Sequence, residues 1–144
     1  MNFKKKALVW FLTVSVFVAM DFLWLWGLTV SSYSPKLNDL SKLRQQLVAS
    51  LTFAELTSVV MASGIVLILF RILEAKKSFN SCVLYGAFFG FLIHATYNLT
   101  NLWLIKGWFA GLAFADVGWG TFQGLLAGFN VAWLSKKFGL LKQV

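Results

Sequence analysis

The chain has 144 residues, 59% of them hydrophobic and 12% charged, with a formal net charge of +8. A soluble domain is nearer half apolar and a quarter charged, and a chain this short cannot bury so many phenylalanines and tryptophans in one aqueous core, so lipid is the solvent that fits. The positive charge falls in short clusters between apolar runs rather than on one face, which is membrane-flanking charge and argues against a nucleic-acid partner.

The first apolar run extends from Ala7 to about Val30, behind Lys4, Lys5 and Lys6. It is longer than the apolar stretch of a signal peptide, about 7 to 15 residues, and no small-x-small cleavage site follows, so it predicts a retained transmembrane helix. Ser31 to Gln46 is polar, contains Pro35, and predicts a loop with a short surface helix near Asn38 to Gln46. The second run is Leu47 to Phe70, followed by a charged loop from Arg71 to Ser81. The third is Cys82 to Leu104, where the lone cysteine begins the run as a small buried hydrophobe. A tight turn at Lys106, Gly107 and Trp108 leads to the fourth run, Phe109 to Leu134, ended by Ser135, Lys136 and Lys137.

About 20 residues span the hydrocarbon at roughly 1.5 Å each, and backbone groups in lipid must be satisfied within the segment. The expectation is therefore all-α: an integral membrane four-helix bundle, one transmembrane domain over residues 1–144, with helices at about 7–30, 47–70, 82–104 and 109–134. The N-terminus, the second loop and the C-terminal tail carry three lysines or arginines each. The first loop has three, and the third loop has Lys106 alone. The positive-inside rule then places both termini in the cytoplasm, with Trp103 and Trp108 at the outer interface and Trp10 and Trp133 at the inner one. No internal repeat supports an inverted-repeat transporter.

Ionisable groups within a span are costly and call for a partner or a function. Each run has one: Asp21, Glu55, His94 and Asp116. Counted from the outer helix ends, all four lie roughly 10 to 15 Å deep, which predicts one polar layer in the outer half of the bilayer. His94, Asn98 and Asn101 are spaced i, i+4, i+7 and share a face, flanked by Thr96, Tyr97 and Thr100. In the fourth run Asp116, Gly120, Gln123, Gly124 and Ala127 share another, with small residues that let a neighbour approach closely. In the second run Thr52, Glu55, Ser58 and Ala62 follow the same logic. The plainer alternative is that these side chains are hydrogen-bond glue between helices, at about 1 kcal/mol per bond. One histidine and no second thiol point away from a metal site, and no phosphate loop, nucleophile elbow, zinc-protease motif or dinucleotide fingerprint occurs. The residues name no cofactor.

The segment His94 to Leu102 (HATYNLTNL), then Lys106-Gly-Trp108, then Asp116 to Thr121 (DVGWGT), resembles the signature of a bacterial family of predicted inner-membrane proteins. That family is catalogued as domain of unknown function 2177. Met20 to Gly27 (MDFLWLWG) is similar to its Asp-x-x-Trp element, and the resemblance covers nearly the whole chain. It implies a four-helix membrane protein of the bacterial inner membrane and no established activity. The family pattern has an acidic residue where this chain has Asn98, a departure that leaves Asp21 and Asp116 as the better candidate acids.

Three functions fit these residues. The first is binding or movement of a lipid or small polar molecule through a polar pocket of Asp21, Trp24, Glu55, His94, Asn98, Asn101, Asp116 and Thr121. Four helices make a narrow pore at best, so transport would call for a homodimer. The second is a lipid-modifying enzyme in which His94 works with Asp21 or Asp116 as an acid–base pair. The third is a structural or assembly subunit without a ligand.

Overall fold

The computed structural model describes residues 2–25, 27 and 47–140. Among them it has four helices and no strand: α1, Phe3–Leu23; α2, Leu47–Lys76; α3, Phe79–Leu104; and α4, Ala110–Lys137. The expected loop from Ser31 to Gln46, with its surface helix, lies outside the described residues.

The helices do not stop where the apolar runs stop. The stretch from Arg71 to Ser81, expected as a loop, is helical except for Lys77 and Ser78. Loss of hydropathy is not loss of helix propensity, and Arg, Leu, Glu, Ala and Lys are good helix formers. The emerging turn is also tied down. Glu74 pairs with Lys6 at 2.6 Å, and Lys76 donates to the Tyr85 hydroxyl at 3.0 Å while lying over its ring. Lys77 takes a positive φ of 47° to reverse the chain. Ser78 then caps α3 by accepting from the Ser81 amide at 3.2 Å. The second turn is as short as expected: α3 ends at Leu104, Gly107 supplies a φ of 94°, and α4 begins at Ala110.

Lys5 Nζ donates to the Phe138 carbonyl at 2.7 Å, and Lys6 reaches Glu74. The start of α1 therefore meets the ends of α2 and α4, so α1 and α3 run one way and α2 and α4 the other. Lys4, Lys5, Lys6, Arg71, Lys76, Lys77, Lys136 and Lys137 gather at that charged end.

Each helix buries a narrow stripe and exposes large apolar side chains elsewhere. In α1 the buried row is Val9, Thr13, Phe17 and Asp21, one residue every four. In α3 it is Cys82, Gly86, Gly90, His94 and Asn98. Outside these rows Phe53 and Phe114 are each 70% exposed and Trp103 83%, an arrangement suited to lipid and unsuited to water. By length and composition, Phe3–Leu23, Thr52–Lys76 and Phe79–Leu104 can each cross a membrane. The fourth helix expected to cross, α4, is 28 residues long but not apolar enough to join them, because glycines, Asp116, Gln123 and Asn130 interrupt it.

The α3–α4 pair forms the most extensive interface. Gly86 and Gly90 face Gly120, Gly124 and Gly128, and a Cβ at Gly86, Gly90, Gly124 or Gly128 would collide with the backbone of the other helix. Small residues at such a seam bring the axes close enough for van der Waals contact along the whole length, which drives helix association where lipid is as apolar as leucine. Around this pair, toward the charged end, Val9, Val66, Leu69, Leu73, Val131 and the Cys82 thiol pack as a fully buried core.

Candidate functional site

Away from the charged end the buried stripes turn polar. On α3, His94 and Asn98 continue the row begun by Gly86 and Gly90. Because that row is pressed against α4, both side chains point at α4. The His94 ring lies so close over Gly120 that a Cβ there would overlap it. His94 Nδ1 is 3.0 Å from Asp116 Oδ2. Asn98 Nδ2 donates to the same oxygen at 2.6 Å and to the His94 carbonyl at 3.0 Å. The other carboxylate oxygen accepts from Trp24 Nε1 at 3.0 Å. Trp24 begins a widened helical turn at the end of α1, a feature frequent at functional sites. Its ring stacks on Trp119 with centroids 4.8 Å apart and planes 9° from parallel. Trp108, expected only as an interface marker, also reaches inward and donates to Asn98 Oδ1 at 3.3 Å.

A second group forms around Asp21. One carboxylate oxygen accepts from the Ser58 hydroxyl of α2, and the other from Gln123 Nε2 of α4 at 3.2 Å. Ser58 and Gln123 are almost wholly buried. The acid–base pairing left open by the sequence is thereby decided by geometry. His94 pairs with Asp116, while Asp21 is occupied by Ser58 and Gln123. Asp116 holds the Nδ1 edge of the imidazole, which leaves Nε2 as the ring nitrogen for any other partner.

Members of both groups line one cavity of about 410 Å³, with Asn98 and Gln123 behind its wall. Asp21, Trp24, Ser58, His94 and Asp116 supply its polar wall, and Ala54, Met61 and Ile93 its apolar wall. Thr57 of α2 and Tyr97 of α3 also line it and are exposed, marking an opening between those two helices.

Not every expected site residue lies on this wall. Glu55 is on α2 but about 60° around the helix from Ser58, and its carboxylate oxygens are buried without a hydrogen-bond partner among the described residues. Asn101 is buried beyond Asn98, and its Nδ2 has no partner among the described residues. The Thr121 hydroxyl donates to the Val117 carbonyl at 2.7 Å, within its own helix. Conversely, Ser58, Gln123, Trp108 and Trp119 belong to the network but not to the expected pocket. For Ser58 and Gln123 the signal was present, since each lies on the buried face of its helix among small residues. For the two indoles nothing in the spacing distinguished them from lipid-facing tryptophans. Among the described residues no group of three or more His, Cys, Asp or Glu side chains could hold a metal ion.

Residues 6–133 match the model of a family described as "Predicted membrane protein (DUF2177)". The chain belongs to this family. Asp21, Trp24, Ser58, His94, Asn98, Asp116 and Gln123 all fall inside the matched segment, so the network of this DUF2177 protein is built from the family's own span. No curated protein and no solved structure matches the chain.

Proposed function

We propose that this protein binds, and moves within or across the bilayer, a small polar molecule or the polar head of a lipid. The observation that carries this reading is the cavity of about 410 Å³, whose polar wall joins all four helices in an otherwise apolar bundle. Hydrogen-bond glue alone leaves no reason for a space of this size, because a bundle locked only by polar contacts packs tightly around them. The opening between Thr57 and Tyr97 faces sideways, which suits a ligand arriving from the lipid phase. The lysines and arginines gathered at one end favour an orientation with both chain ends in the cytoplasm of a bacterial inner membrane and the cavity in the outer half. All four helices then cross, α4 despite its lower hydropathy because Asp116, Gln123, Gly120, Gly124 and Gly128 turn toward the bundle rather than the lipid. Transport proceeds through a homodimer, since four helices enclose only a narrow path.

The test is native mass spectrometry of gently extracted protein, comparing wild type with Asp116→Asn. A discrete bound species is expected in the wild type and is lost in the variant. The same unselective lipid on both proteins would remove the support for a site and leave a structural subunit as the better account.

One observation favours a second reading. Asp116 on Nδ1 orients His94 as the carboxylate of an acid–base pair does, with Nε2 left to exchange a proton with a substrate. In that case His94→Gln abolishes turnover of a lipid substrate while the bound species is kept; in the binding reading no turnover exists to lose.

A further inference from the structure

Among the described residues the charges on the cavity wall do not balance. Asp21 and Asp116 both line it, and the only cationic candidate among the described lining residues is His94. Protonated, it cancels one carboxylate at most. Asp21 takes its hydrogen bonds from Ser58 and Gln123, which are neutral. No described lysine or arginine lines the cavity. Those of the described residues lie at the charged end or, as Lys106, in the α3–α4 turn. A carboxylate enclosed in a low-dielectric interior without a counter-charge is costly. Among the described residues the wall is thus at least one positive charge short.

We infer that the ligand supplies this charge and is an organic ammonium ion; the inference rests on the reading that the cavity takes a ligand. The size argues against a bare ion: about 410 Å³ compares with about 30 Å³ for a water in the liquid. The donor set argues the same way, with no metal-ligating group of three or more among the described residues. The rest of the wall fits a cation with carbon substituents. Met61 and Ile93 offer apolar surface, and Trp24 and Tyr97 offer aromatic rings, which attract ammonium groups. His94 adds a second recognition element. It is about nine-tenths buried, its Nδ1 is held by Asp116, and its Nε2 remains for a polar atom of the ligand, accepting from an N–H or O–H when the ring is neutral and donating to an oxygen when it is protonated. An ammonium lipid headgroup entering past Thr57 and Tyr97, and a soluble amine, present the same chemistry to this wall.

The experiment is calorimetric titration of the full-length protein in an uncharged detergent with choline chloride, ethanolamine hydrochloride, glycerol and glycerol 3-phosphate. It is paired with native mass spectrometry after reconstitution into vesicles of phosphatidylethanolamine and phosphatidylglycerol. Saturable binding of choline or ethanolamine is expected, at least tenfold tighter than that of the neutral and anionic probes. Asp21→Asn should weaken it tenfold or more. Thr57→Trp, a surface substitution at the mouth of the cavity, should block it and serves alone if Asp21→Asn does not fold. Selective retention of phosphatidylethanolamine identifies a lipid headgroup as the source, and amine binding without a lipid adduct identifies a soluble ligand. Preference for glycerol, glycerol 3-phosphate or phosphatidylglycerol overturns the cation assignment but leaves the binding site standing. Amine binding that survives Thr57→Trp places the amine elsewhere and also overturns it. If no probe binds and no discrete adduct is found, the binding-site reading falls as well.

Discussion

The two halves of this bundle solve the same packing problem with different materials. Near the charged end, Val9, Val66, Leu69, Leu73 and Val131 pack wholly buried between the helices. Toward the other end the same helices place Asp21, Ser58, His94, Asn98, Asp116 and Gln123 on the continuing stripes, and there the interior opens into a cavity. The glycine seam of α3 and α4 runs through both halves, so the helix axes are already set where the polar residues begin. A seam made by backbone contact needs no bulky side chain to hold it, which frees the far half from the duty of filling space. The near half can be optimised for stability and the far half for recognition.

That division can be broken at three points. Leu69→Ala strikes the packed half. Emptying a wholly buried leucine site removes contacts that lipid does not replace, and a loss of about 2 kcal/mol or more is expected, near the lower end of the range in soluble cores because lipid is itself apolar. Thermal unfolding in detergent measures the loss, and ligand retention in the folded fraction should be unchanged; a matching fall in retention would show that the halves are not independent. Gly120→Ala strikes the polar half. The new methyl overlaps the His94 ring, so the ring must leave Asp116, at a cost of about 1 to 3 kcal/mol. Here retention should fall at least as clearly as stability, and a variant that keeps its ligand would remove His94 from the site. Lys6→Ala is the smallest change. It removes the pair with Glu74, whose side chains are about one-third exposed, and should cost less than about 1 kcal/mol, the difference shrinking as salt is raised. A larger, salt-independent effect would mean that the charged end holds the bundle together rather than finishing it.

Much of this architecture is legible in the amino-acid order. The apolar runs mark four helices, and the i, i+4 spacing of His94 with Asn98 and of Gly120 with Gly124 marks faces that do turn inward. Helix ends are less legible. Hydropathy falls at Arg71, yet α2 continues to Lys76, because a helix leaving lipid remains a helix when its residues favour one and its side chains find partners. The site is legible only in part. Of the four residues counted to one layer, Asp21, His94 and Asp116 lie on the cavity wall, whereas Glu55, counted to the same layer, does not reach it. Depth depends on position along one helix and can be counted. Azimuth relative to a neighbour depends on how the helices are rotated against each other, and no single helix encodes that.

The sequence by itself determined that this protein belongs in lipid, that it is helical, and which residue types had to be accommodated at cost inside it. Those properties follow from local chemistry: transfer of side chains into hydrocarbon, and backbone groups that must bond within their own segment. Only the tertiary structure decided that His94 takes Asp116 rather than Asp21, that Ser58 and Gln123 claim Asp21, and that, among the described residues, two carboxylates share a cavity with a single imidazole. The reason is that hydrogen bonds between helices are short and directional, so partners are chosen by the rotation and close approach of whole helices, which the glycines of α3 and α4 permit.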